Sequence, residues 1–477
     1  MADFYETQLL WLAGICIVSL VCENRISKRK QRLNSRDNAN EKRGGSMHTL
    51  MRQYLVVYAI VMAADWLQGP YVYSLYREQY GFSERMVAVL FVTGFISAGL
   101  TAPLIGVWAD QYGRRRICLA FCATYTLTCC CILVPSLPAL LLGRVFGGIS
   151  TSILFSAFES WVVSASNSLA LPQSDLSLIL GRATLTNGFV ATGAGVLSNQ
   201  LVGFTNSFAS PFVGSGGLLI LAYAVIRGTW TENYGSSEGN ASADLFQINR
   251  LGQAWKIVRK DPFLLVLGFT QTCFEGGMYL FVFLWVPSLQ EATKSYDPLP
   301  LGYIFSAFMV SMMLGSLIYT VIVTHLSPPS ERSLPNPSST SLATGDNSLT
   351  LHAKLSSAVC AVSALALALS VTSEDEKARF WAFCTFEACV GMYYPVQGML
   401  KGTLISDEHR ATLSALFRVP LNIFVVVSLL TGVSSARYAV LSATSLMLAA
   451  SSVLTGLVVV SRADAHHAGK PRHPLRG

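Results

Sequence analysis

"VVYAIVMAADWLQGPYVYSLY", residues 56–76, is long and apolar enough to cross a bilayer, yet Asp65 stands in its middle and Gln68, Gly69 and Pro70 follow. A spanning helix needs about 20 mostly apolar residues. A carboxylate at that depth is costly unless it meets a partner or a wet cavity. Working outward, comparable runs recur near 86–109, 117–135, 138–163, 176–203, 211–230, 263–290, 300–325, 354–372, 378–399, 411–433 and 438–460, which with 53–76 makes twelve expected spans.

Composition agrees with this reading. Of 477 residues, 52% are hydrophobic and 13% charged, against about 25% charged in soluble domains. The net charge of +7 gathers in "ENRISKRKQRLNSRDNANEKR" (23–43), "GRRR" (113–116) and the tail "SRADAHHAGKPRHPLRG" (461–477). Basic patches can serve nucleic acid, but beside so many apolar runs they read as cytoplasmic flanks of membrane helices, with no nucleic-acid partner. Nine of the eleven cysteines, Cys118 and Cys122 among them, lie in apolar runs or at their ends and behave as small buried apolar side chains. No Cys/His spacing suits zinc, so neither metal nor cofactor is expected.

Residues 8–22, "QLLWLAGICIVSLVC", resemble a signal core, but acidic "MADFYET" precedes them and no small-x-small cleavage site follows. They are expected to be an extra, retained N-terminal membrane helix. Segments 23–52, 110–116, 231–262, 326–353, 400–410 and 461–477 alternate around the spans and most are basic, whereas "SEDEK" (373–377) on the other side is acidic. The positive-inside rule puts the basic set, and the tail, in the cytoplasm. The expected organisation is an N-terminal helix and basic segment (1–52), a six-helix half (53–230), a central cytoplasmic loop (231–262), a second six-helix half (263–461) with a Ser/Pro-rich loop (326–353), and a basic tail (462–477). Asn240 fits the glycosylation pattern but falls in a cytoplasmic segment, so it is expected to be unused.

The halves repeat in register. Asp65 matches Glu275 at an offset of 210, and Gly106 matches Gly315 at 209. Past the Ser/Pro insertion, Arg144 matches Arg379 and Asn187 matches Asn422 at 235, and Arg182 matches Arg418 at 236. Such parallel repeats imply halves related by an axis along the membrane normal.

"GVWADQYGRRR" (106–116) resembles the loop signature of the major facilitator superfamily, through Gly106, Asp110, Gly113, Arg114 and Arg115, with Gln111 where that signature is basic. Glycine allows close approach and a tight turn, and Asp110 can pair with an arginine. In the second half Tyr319 stands in place of the aspartate. "AADWLQGPYVYSLY" (63–76), "GRVFGGISTSILFSAFESW" (143–161), "FEGGMYLFVFLWVP" (274–287) and "FRVPLN" (417–422) are similar to segments of its eukaryotic molybdate-anion transporter branch. The resemblance runs from about 50 to about 460, outside the two long cytoplasmic segments. It implies a major facilitator fold of twelve transmembrane helices in two six-helix pseudo-repeats, here with one extra N-terminal helix. It also implies a monomer carrying molybdate oxyanion in a bilayer, with the plasma membrane as the expected location.

In the superfamily's arrangement the first, fourth, seventh and tenth spans line the cavity. Asp65, Glu159, Glu275 and Glu387 lie one on each. They are candidates for coupling or gating, or for static pairing that holds helices together. Arg182 and Arg418 sit about 10–17 Å inside their helices, and Asn187 and Asn422 are expected beside them. A guanidinium is always charged and offers a donor fork suited to an oxyanion. These four are the candidate substrate-binding residues; the alternative for the arginines is a salt bridge with Glu159, Glu387 or Asp65. Arg144 and Arg379 lie near helix ends, where snorkelling to water is expected. Pro70, Pro287, Pro395 and Pro420 are expected to kink their helices. The same fold carrying sulfate or an organic anion, or a non-transporting sensor, remains open. No His cluster, nucleophile elbow or P-loop supports an enzyme, so no catalytic residue is assigned.

Overall fold

The computed structural model describes residues 2–34, 41–234, 255–256, 258–293, 298–326, 342–405, 407–432 and 437–460. Asn240, most of the two long cytoplasmic segments and the tail lie outside these residues, and so do the expectations placed on them.

Among the described residues every regular element is helical. The long helices are α1 (Ala2–Asn34), α2 (Glu41–Gln68), α3 (Glu84–Tyr112), α4 (Arg114–Ile132), α5 (Leu137–Leu154), α6 (Ala157–Ser168) and α7 (Gln173–Thr205). There follow α8 (Ser210–Thr229), α9 (Pro262–Ala292), α10 (Leu301–Leu326), α11 (Leu342–Thr372), α12 (Glu376–Leu404), α13 (Asp407–Gly432) and α14 (Arg437–Leu454). Their ends carry ordinary punctuation. Ser83 caps α3 by accepting from the Met86 N–H, Asp375 caps α12 by accepting from Ala378, and Asn206 in the left-handed region closes α7.

Among the described residues, ten helical stretches are long and apolar enough to cross a membrane, the first being Phe4–Glu23 in α1. The helices α7 and α12, which carry Arg182 and Arg379 with Glu387, are as long but less apolar, whereas Arg418 of α13 lies inside a shorter apolar stretch, Leu416–Thr431. Two spans are interrupted. After Gln68 the chain passes through a 3-10 turn (Gly69–Tyr71) holding Pro70, a short α turn, and a π turn (Leu75–Gln79). The run expected as one helix at 138–163 breaks at Phe155 and Ser156 into α5 and α6, which puts Glu159 in the first turn of α6.

The chain forms two compact units: Met1–Phe246 with Tyr296–Val310, and Gln247–Ser295 with Ser311–Gly477. In the first, α2 packs against α7 and α8, α5 against α3 and α4, and α4 against α8. Its core holds Val57, Val61, Phe121, Phe158 and Trp161. Lipid offers no hydrophobic drive between helices, so small residues set how close they come. A Cβ on Gly148 would meet the Gly94 carbonyl oxygen at 2.5 Å and the Ser97 Cβ at 2.6 Å, so α5 and α3 touch through backbone. On α1, Tyr5, Leu9, Leu12 and Cys16 form one buried stripe, while Leu10, Trp11 and Val18 face outward.

In the second unit α11 packs on α12 and α14, and α9 on α12, α13 and α14. Gly315 of α10 lies against the Ala388 backbone of α12, and Gly391 of α12 lies against the Met312 carbonyl. Helix α11 begins at Leu342, so the end of the segment 326–353 is helical, with Thr350, His352 and Ala353 buried.

Candidate functional site

Asp65 is held by a phenol. In the first unit the Tyr125 hydroxyl of α4 donates to its Oδ1 at 2.6 Å, and Tyr58, one helical stretch earlier on α2, lies within electrostatic reach of both Asp65 and Glu159. One turn on, the Gln68 amide donates to Ser215 Oγ at 2.7 Å, and Ser215 donates to the Ala64 carbonyl at 2.7 Å, which ties α2 to α8. The Trp66 indole N–H donates to Asn187 Oδ1 at 2.8 Å. Asn187 is thereby engaged with α2, while Arg182 is exposed with Nη1 3.1 Å from the Met51 sulfur. Neither Asp65 nor Glu159 comes within 4 Å of Arg182 among the described residues.

The second unit presents Glu275 in a similar setting. The Gln271 amide donates to its Oε2 at 3.2 Å and the Tyr393 hydroxyl to its Oε1 at 3.3 Å. Tyr393 is fixed by stacking on Phe274 at 3.9 Å with nearly parallel rings. Arg418 is exposed and Asn422 half-buried one turn further along α13. Tyr279, Tyr394 and Lys401 lie within electrostatic reach of both Glu275 and Arg418. Glu387 is only 5% exposed and has no basic side chain within 4 Å among the described residues.

The repeat-related Arg144 and Arg379 do not snorkel. The Arg144 guanidinium lies over the rings of Tyr76 and Phe91, 5.1 and 4.8 Å from their centroids. Arg379 is buried and donates to the carbonyls of Ser373 at 2.8 Å and Ser288 at 2.6 Å, and to the Tyr438 hydroxyl at 3.4 Å. Carbonyl dipoles and ring faces take the place of water, which is why a position near a helix end misleads here.

The loop between α3 and α4 is clasped by a segment that sequence reading left as part of a loop. Gly113 turns the chain at φ 103°, and Arg114 pairs with Asp110 at 2.8 Å. Past α8, Glu232 accepts from the Arg115 backbone N–H at 2.8 Å, Asn233 accepts from the Arg114 N–H at 3.0 Å, and Arg115 donates to the Arg227 carbonyl at 2.7 Å. A Cβ on Gly113 would strike the Glu232 carboxyl at 2.5 Å. Trp230 stacks on Trp161 at 3.7 Å, and the Trp161 indole donates to the Thr231 carbonyl at 2.9 Å. Gly106 has open space around its Cα. In the second half Tyr319 meets His352 at 3.1 Å, where the first-half signature has its aspartate. The signals for Tyr125 and Tyr393 were single hydroxyls inside apolar runs, and that for Glu232 a lone carboxylate just past one; their partners are far away in sequence.

Residues 25–332 match a family model described as sugar transporters, 12 TM. A molybdate-anion transporter of Xenopus tropicalis is 32% identical over 385 residues, covering 78% of this chain and 76% of that one. Its counterpart in Danio rerio is 28% identical over 494 aligned positions, covering 95% of each. The fold resembles crystal structures of the nucleoside transporter NupG (TM-score 0.63, 11% identity, 86% of this chain and 99% of that) and of a bacterial homolog to the human lysosomal transporter Spinster (TM-score 0.61, 13% identity, 91% and 100%). The pseudo-repeated polar helices, the clasped signature loop and these relatives agree: the chain belongs to the major facilitator superfamily, in the branch of the vertebrate molybdate-anion transporters, and is a multi-pass membrane transporter rather than an enzyme.

Proposed function

We propose that this chain moves molybdate across the plasma membrane by alternating access, as a monomer of twelve spans plus α1, with its tail in the cytoplasm. One observation carries the reading: Arg182 and Arg418 match by repeat, are exposed, and have no carboxylate within 4 Å among the described residues. A permanent charge kept at membrane depth without a countercharge is suited to a ligand that brings one. Molybdate is a tetrahedral dianion, and a guanidinium fork matches a pair of its oxygens. The relatives named molybdate-anion transporters support the choice of ion.

In this reading Asn422 and Asn187 stand near the arginines as neutral donors, with Asn187 in play only when Trp66 releases it. Asp65, Glu159, Glu275 and Glu387 gate or couple the cycle. Gly106, Asp110, Gly113, Arg114 and Arg115 latch one conformation, with Glu232 holding the latch. Molybdate uptake in cells expressing Arg182→Ala or Arg418→Ala tests it, with surface expression measured in parallel. Each variant is expected to lose at least tenfold in uptake, and normal uptake by both would remove the arginines from the path. Sulfate competing as strongly as tungstate would overturn the assignment to molybdate.

A further inference from the structure

Helices α9 and α12 run antiparallel in the second unit with a readable register. The Ser288 carbonyl meets Arg379, Phe281 packs on Phe386 at 5.2 Å, and Phe274 stacks on Tyr393 at 3.9 Å. One turn toward the start of α9 from Glu275 is Gln271, and one turn toward the end of α12 from Tyr393 is Gln397. The register therefore brings the two glutamines to the same rung. Gln271 is 3% exposed and Gln397 2%. The Gln271 amide nitrogen is spent on Glu275, but its Oε1 has no partner, and neither the oxygen nor the nitrogen of Gln397 has one among the described residues.

Buried amides without partners are rare and need a reason. By this register the two glutamine amides lie one helical turn from Glu275 and from Tyr393, and the four side chains offer amide, carboxylate and hydroxyl oxygens, the donor type that hard cations take. One carboxylate balances one positive charge. Arg418 and Lys401 act on the same region without approaching Glu275 within 4 Å, which argues against a divalent ion. We propose that Gln271, Glu275, Tyr393 and Gln397 bind a single monovalent alkali cation inside the second unit. In a transporter, such a site lets the gradient of that cation bear on the helices that hold it.

Sodium is the probe. Full-length protein purified in detergent is assayed for binding of radioactive sodium, displaced by unlabelled sodium chloride or by N-methyl-D-glucamine chloride as the inert control. Saturable binding is expected, displaced only by sodium. Gln397→Leu and, from the facing helix, Gln271→Leu should each weaken it at least tenfold, with melting temperatures in sodium-free buffer no lower than wild type. Absence of saturable binding in the wild-type protein overturns the proposal, and water alone then fills the rung. Unchanged affinity in either well-folded variant overturns it as well. The assay contains no oxyanion, so its failure is distinct from failure of the molybdate reading.

Discussion

At the scale of single residues, the opening carboxylate is explained by a phenol. Asp65 accepts a 2.6 Å bond from Tyr125, and its repeat partner Glu275 accepts from Tyr393 and Gln271. Both acids thus have neutral donors, and neither has an arginine within 4 Å among the described residues. Tyr125→Phe removes the donor and leaves an acceptor under-satisfied, at a cost of about 1–3 kcal/mol. It is expected to lower the melting temperature of the purified protein. Asp65→Asn keeps an acceptor for Tyr125 and removes the charge. It should melt close to wild type while losing at least tenfold in uptake; normal uptake would make Asp65 a structural residue alone. The charges were legible in the sequence because they interrupt apolar runs. Their partners were not, because the contact of Asp65 with Tyr125 or of Glu275 with Tyr393 depends on helix packing and not on spacing. The same limit explains Asn187: Arg182 is close in sequence, but Trp66 of another helix takes its oxygen.

At the scale of elements, packing depends on two kinds of contact. One is backbone against backbone at small residues. A methyl on Gly391 would collide with the Met312 carbonyl, and the backbone cannot yield as a flexible side chain does. Gly391→Ala is therefore expected to separate α12 from α10 and to reduce the monodisperse peak in size-exclusion chromatography, where a wild-type profile would contradict the close packing. The other is the clasp formed by Thr231–Tyr234 over the α3–α4 loop, anchored by Trp230 on Trp161. Trp230 is 3% exposed, and Trp230→Ala should cost about 3–5 kcal/mol of stability, read by thermal or denaturant unfolding. Sequence reading found the loop signature from its glycines and arginines. It missed the clasp because "TENY" has the composition of any short connection. It also started α11 too late, since "SLTLHAKL" mixes polar with apolar residues and turns helical only with a packed side.

At the scale of the whole molecule, hydropathy marked most of the helices because a bilayer demands long apolar runs with internally satisfied backbone. It was weakest for α7 and α12, whose polar residues lower their mean hydropathy. Those residues include Arg182 and Glu387, so hydropathy is lowest where charges gather, although Arg418 sits inside the apolar stretch Leu416–Thr431. The proposed cargo was never in the hydropathy; the proposal rests on the kinship with the molybdate-anion transporters and on two guanidinium groups with no carboxylate within 4 Å among the described residues. The most direct measurement is uptake of labelled molybdate into liposomes reconstituted with the purified protein, beside protein-free liposomes and the double variant Arg182→Ala, Arg418→Ala. Time-dependent, saturable uptake by the wild-type protein, reduced to the protein-free level in the double variant, is the predicted result; equal uptake by wild type and double variant, or none above the protein-free level in either, would contradict it.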